Sequence, residues 1–181
     1  MNVKLQTRLS GESYPLNGCL VILRSGSMRH SEMNSGYYKE KLLDSFSTPF
    51  DRQDIYSLSR QMDYIVNYSY EVAREMYAFS VQPDDAIRSM AGALLEGTWY
   101  TVQGVEAMSR DKKRVKDLIR SARVSMRTID DLYIHGMADL FDQDDVIEAL
   151  RKREIYHHLR DAGKALRLTV DILHHAVVGL I

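Results

Sequence analysis

The sequence predicts an all-α fold of long antiparallel helices, and three observations carry that prediction. Beyond residue 28, apolar side chains recur at three- and four-residue steps over most of the chain. No stretch in that region alternates apolar and polar residues as a half-buried strand would. No proline occurs after Pro83, so nothing breaks the helical pattern in the second half.

The first firm boundary is the stretch Thr48-Pro49-Phe50-Asp51-Arg52-Gln53-Asp54-Ile55. Pro49 has no amide hydrogen and disfavours helix at Thr48, so a segment closing with Leu42, Leu43 and Phe46 ends there. Asp51 fits an N-cap with Asp54 as its capping partner, and both acids suit the positive end of a helix. The helix that follows has one apolar face of Ile55, Leu58, Met62, Ile65, Val66, Val72, Ala73 and Met76, enough for roughly seven turns. Pro83, Asp84 and Asp85 open the next, whose inner face is read as Ile87, Met90, Ala91, Leu94, Thr98, Val102, Val105 and Met108. Gly92, Gly97 and Gly104 lower its propensity, so close approach of a neighbour is expected to compensate.

A third run reads Val115, Leu118, Ile119, Ala122, Met126, Ile129, Leu132, Tyr133 and Leu140. The last reads Ile147, Leu150, Ile155, Leu159, Ala162, Leu166, Val170, Leu173 and Val177. At one constant offset Met28 falls with Met126, Glu32 with Asp130, Leu42 with Leu140, Asp44 with Asp142 and Asp63 with Asp161. The order of elements repeats as well, which suggests two related helical hairpins with the Pro83 helix between them. In residues 1–27, Pro15, glycines and serines interrupt any helical period, while Leu20, Val21, Ile22 and Leu23 fit a short buried strand or a packed extended arm. The chain therefore divides into a divergent N-terminal segment, 1–27, and a helical domain, 28–181.

Composition narrows the function classes. A chain of 181 residues with 45% apolar content makes one compact domain or two small repeats sharing a core. A formal net charge of -1 with 27% charged residues fits neither a general polyanion binder nor a disordered acidic tail. The lone Cys19 cannot form an internal disulfide, which fits a reducing compartment. The apolar run 18–23 is far short of the roughly 20 residues that cross a bilayer, so neither a signal peptide nor a membrane span is expected.

Charge is unevenly distributed within the second half. Arg110, Lys112, Lys113, Arg114, Lys116, Arg120, Arg123 and Arg127 face only Asp111 and Asp117 over the same stretch. Lys116, Arg120, Arg123 and Arg127 share one helical stripe. A solvated face paired with acids of another helix ranks ahead of anion binding, with a phosphate ligand or an anionic lipid surface as the lesser alternative. Nucleic acid is disfavoured because no stacking aromatics interleave with these bases. His157 and His158 with Asp161, or Asp171 with His174 and His175, have spacing for two ligands on one helix, but neither set has a third ligand and ordinary surface histidines are preferred. Tyr, Met and Trp99 read as packing material. No nucleophile arrangement, Gly-rich phosphate loop, GxSxG or HExxH is present, which makes an enzyme the least favoured class.

The segment STPFDRQDIYSLSRQMDYIVNYSYEVAREMYAF, residues 47–79, resembles the stretch that marks the PhoU-like family of phosphate transport regulators found beside Pit-type phosphate transporters. LFDQDDVIEALRKREIYHHLRDAG, residues 140–163, resembles the same family's entrance to its C-terminal helix. The likeness extends over residues 28–178, and residues 1–27 show none of the family's usual first helix. It implies a pair of three-helix bundles in an elongated unit acting in phosphate homeostasis without catalysis. It further implies a cytoplasmic homo-oligomer, peripheral to the inner face of the membrane, with a Pit-type transporter as partner and no nucleic acid.

Members of that family carry Glu/Asp-x-x-x-Asp motifs that hold metal clusters, since carboxylates four apart on a helix face give hard oxygen ligands. Matched residue by residue, Met28 and Glu32 stand at the first motif, and Asp63 stands with Tyr64 and Asn67 where acids are expected. Met126 replaces an acid before Asp130, and Arg160, Lys164 and Arg167 occupy positions of the last helix that usually carry acids, leaving Asp161. The resemblance thus leaves Glu32, Asp63, Asp130 and Asp161 as the candidates for a divalent or iron ion, and Lys116, Arg120, Arg123 and Arg127 remain the anion-binding candidates. With so many carboxylates replaced, direct ion pairs of Asp130 with Arg160 or Lys164 are expected in place of the second cluster, against the alternative of merely solvated side chains. Glu32, Asp63 and Asn67 remain for a weaker first site. The regulator of phosphate transport is the favoured reading; a helical oligomeric scaffold without metal or transporter role is the alternative.

Overall fold

The computed structural model describes residues 52–108 and 110–178. They form four helices, α1 Arg52–Ala78, α2 Asp85–Ala107, α3 Lys112–Phe141 and α4 Val146–Val178, with no strand among the described residues. Over these residues the all-α expectation holds. The first described helix follows the stretch 48–51 directly; the proposed Asp51 cap, the segment closing with Phe46, the readings of residues 1–27, and Met28, Glu32, Leu42 and Asp44 of the internal echo lie outside the described residues.

Local chemistry sets each boundary. The end of α1 is closed by a Schellman arrangement in which the Val81 amide donates to the Met76 carbonyl at 2.9 Å and Ser80 takes a left-handed φ of 58°. Val81 is buried there against the end of the bundle. Asp84 caps α2 by accepting the Ile87 amide at 2.9 Å. Asp111 does the same for α3 with the Arg114 amide, and Asp145 for α4 with the Glu148 amide at 3.0 Å. An aspartate at each of these starts also complements the positive end of the helix dipole.

The short connections make consecutive helices antiparallel, so α2 and α4 run in the same direction. Helices α2, α3 and α4 pack against one another in all three pairs, whereas α1 packs chiefly on α4. Two apolar clusters fill the interior. One lies toward the α2–α3 connection and contains Val115, Met126, Leu166, Leu173 and Val177. The other lies toward the α3–α4 turn and contains Val72, Ile87, Met90, Leu140, Ile155 and Leu159. Each large aliphatic side chain fully buried here contributes roughly 1.5–3 kcal/mol.

The predicted faces of α3 and α4 are largely the buried ones, except that Ile147 and Leu150 are exposed at the start of α4. On α1, Ile65 and Val72 are buried but Val66 is exposed, because a helix packed chiefly on one neighbour needs only a narrow stripe. The inner face of α2 differs from expectation after Leu94: Gly97, Thr101 and Gly104 turn inward, while Thr98 and Val105 are half-buried and Val102 is exposed; Met108 just beyond its end is buried as expected. Leu166 and Leu173 of α4 press into the two glycines, where an added Cβ would lie 2.6 Å and 2.8 Å from their methyl carbons. Close approach therefore accounts for Gly97 and Gly104. It does not account for Gly92, whose Cβ would have nothing within 4 Å.

Candidate functional site

The bases of α3 stand beside its core stripe. Val115, Ile119, Ala122 and Met126 are buried, and Lys116, Arg120, Arg123 and Arg127 each follow one of them by a single position. That phase places the four bases on the flank of the α3–α4 seam. Across the seam α4 contributes Arg167, Asp171 and His174, which share one face at i, i+4 and i+7. Together they line an open cleft of about 500 Å³ floored by Ile119 and Met126.

Part of this charge is answered within the protein. Arg123 Nη2 donates to Asp171 Oδ1 at 3.1 Å across the cleft, as a solvated face paired with another helix would require. Arg120 donates to Asp117 at 3.1 Å on its own helix, and Arg167 donates to Asp130. Lys116 and Arg127 have no ion-pair partner among the described residues. The lining thus holds Lys116, Arg120, Arg123, Arg127 and Arg167 against a single acid, Asp171. Such a concave surface favours an anion with several oxygens, since guanidinium groups bind these bidentately.

The metal candidates are dispersed. Asp63 is exposed on α1, Asp130 is engaged by Arg167, and Asp161 accepts from Lys164 at 2.7 Å. Glu32 lies outside the described residues. Among the described residues no three His, Cys, Asp or Glu side chains gather as a metal site.

The expected ion pair of Asp130 with Arg160 or Lys164 is corrected: the partner is Arg167. Side chains on a helix lean toward its N-terminus, so Arg167 reaches back along α4, and in the antiparallel register this brings it to Asp130. Lys164 is taken by Asp161, and the Arg160 guanidinium lies 4.4 Å over the Tyr133 ring.

The histidine pairs separate as well. His158 Nε2 is 3.0 Å from Glu75 Oε1 on α1 and stacks near Tyr68, whereas His157 lies beside Tyr133. His174 lines the basic cleft. Two polar contacts escaped sequence reasoning, the Glu75–His158 pair and the hydroxyl that Tyr156 donates to Asp84 at 2.8 Å, beside Lys152 at 3.6 Å. Both join residues far apart in the chain, and no local spacing announces them. In the sequence Arg167 stands where an acid is expected and His174 beside a possible metal ligand; only the α3–α4 register joins them to the basic stripe.

Compared with known protein families and with characterised proteins, the chain gives no match. Among the described residues no helix is long and apolar enough to cross a membrane.

Proposed function

We propose that this protein is a non-catalytic cytoplasmic regulator or accessory protein of inorganic phosphate transport that docks as a homo-oligomer on a Pit-type transporter. The observation that carries the reading is a juxtaposition. The two stretches that resemble the PhoU-like family, 47–79 and 140–163, are distant in the chain, yet their described parts meet in the fold. Glu75 of the first contacts His158 of the second, and Val72 shares a buried cluster with Ile155 and Leu159. A likeness that occupies both sides of one interface is what a shared packing unit would retain. The test is affinity purification of the tagged protein from detergent-solubilised membranes, with phosphate uptake measured in a deletion strain. Recovery of the transporter and altered uptake are expected; a protein that recovers no transporter and whose loss leaves uptake unchanged is not such a regulator.

A second reading, a helical scaffold without metal or transporter role, is favoured by the capture of Asp130 and Asp161 by Arg167 and Lys164. Carboxylates held by cations are poorly placed to attract a metal ion. Iron or zinc bound stoichiometrically at Asp130, seen as anomalous density in soaked crystals, would remove the ground for it.

A further inference from the structure

We propose that the α3–α4 cleft binds a chain of linked phosphates, of the tripolyphosphate type, rather than a single orthophosphate. The proposal stands on the cleft's geometry and needs no transporter, so it and the transport reading can fail separately.

Lys116 and Arg127 are the ends of the stripe; their backbone positions lie about 16 Å apart along the axis at ~1.5 Å per residue, and both side chains line the same cleft. Arg120 and Arg123 stand between them and Arg167 faces them from α4. One tetrahedral phosphate reaches only neighbouring members of this row, whereas a linear chain of phosphates presents oxygens along its length. The cleft volume of about 500 Å³ is also that of a site for a multi-atom ligand rather than for one small ion.

The internal ion pairs prepare the site rather than consume it. A guanidinium has five N–H donors, and the single contact of Arg123 with Asp171 leaves most of them available. Asp171 and Asp130 bias Arg123 and Arg167 toward opposite walls, which lowers in part the ordering cost of binding. Lys116 and Arg127, exposed and without an ion-pair partner among the described residues, supply the attraction that no internal acid cancels. His174 at the α4 wall adds a further polar group to the lining.

Titration calorimetry of the full chain with sodium tripolyphosphate, sodium orthophosphate and adenosine triphosphate tests this, with circular dichroism confirming that each variant is folded. Saturable tripolyphosphate binding is expected, at least tenfold tighter than orthophosphate, weakened at least tenfold by the double variant Lys116→Gln, Arg127→Gln and steeply by added salt. Lys113→Gln, on the same helix but outside the cleft, should change it less than twofold. If adenosine triphosphate binds more tightly than tripolyphosphate, the source is a nucleotide; if more weakly, an inorganic chain; either outcome supports linked phosphates. Absence of tripolyphosphate binding, equal affinity for orthophosphate, or equal loss in Lys113→Gln would overturn the proposal. So would binding to phosphatidylglycerol vesicles that needs Lys116 and Arg127 while tripolyphosphate does not bind.

Discussion

Arg167 on α4 donates to Asp130 on α3 across the helix seam, at the wall of the basic cleft. Both side chains are almost half exposed, 48% and 43%, so solvent screens the attraction. A double-mutant cycle with Arg167→Ala and Asp130→Ala should return a coupling of about 0.2–1 kcal/mol, shrinking as salt is added. A salt-insensitive coupling well above that range would show that the pair is a structural anchor rather than a wall of the cleft.

Tyr156 gives the fold a dependence on alkaline pH. Burial pushes its phenol above the usual tyrosine range, and the hydrogen bond to Asp84 adds to the effect. The folded state therefore holds this proton more tightly than the unfolded chain does. The resulting stabilisation is complete below the unfolded value of about 10 and is lost as pH rises from there through the higher folded value. Tyr156→Phe should therefore make the decline of the urea midpoint above about pH 10 shallower than in the parent. An unchanged slope would mean that Tyr156 does not govern it.

How far the sequence could be read follows from which contacts are local. The helix start at Asp84, the buried stripe of α3 and the shared face of Lys116 to Arg127 all depend on neighbours within a turn or two, and they were legible. The α2 face was misplaced after Leu94 because its inward positions are Gly97, Thr101 and Gly104, which carry no apolar signal; their burial is set by Leu166 and Leu173 of another helix. The partner of Asp130 was missed for the same reason. Choosing among Arg160, Lys164 and Arg167 requires the α3–α4 register and the lean of side chains along α4. Half of the cleft was visible as a charge stripe, and the half on α4 was not.

The glycines of α2 should respond to alanine with opposite signs. At Gly97 the new Cβ would meet Leu166 at 2.6 Å and Ser125 at 3.1 Å, and at Gly104 it would meet Leu173 at 2.8 Å. Leu166 and Leu173 are themselves buried, so room must come from shifting packed leucines, costing about 1–3 kcal/mol against a helix-propensity gain of up to about 1 kcal/mol. Gly97→Ala and Gly104→Ala are expected to destabilise, whereas Gly92→Ala, exposed and unobstructed, should stabilise by roughly 0.5–1 kcal/mol. Urea denaturation compares the three directly, and a destabilising Gly92→Ala would contradict the placement of that face toward solvent.

The Glu75–His158 contact ties α1 to α4, and its two halves should not be separable at low cost. The side chains are only 23% and 27% exposed, and Glu75 Oε2 and His158 Nδ1 are buried without a hydrogen-bond partner among the described residues. Removing the imidazole alone leaves a largely buried carboxylate with neither oxygen satisfied by this contact, so His158→Ala should cost about 1–3 kcal/mol from that loss. Replacing both members with apolar groups of similar size, Glu75→Met with His158→Leu, removes the polar groups together and should fall within about 1 kcal/mol of the parent. Because α1 packs chiefly on α4, amide exchange along α1 should rise in the single variant and stay near the parent rate in the double one. If the double variant instead costs as much as the two single changes together, the pair is not a coupled unit and the attachment of α1 rests on its apolar packing, through Ile65 in one cluster and Val72 in the other.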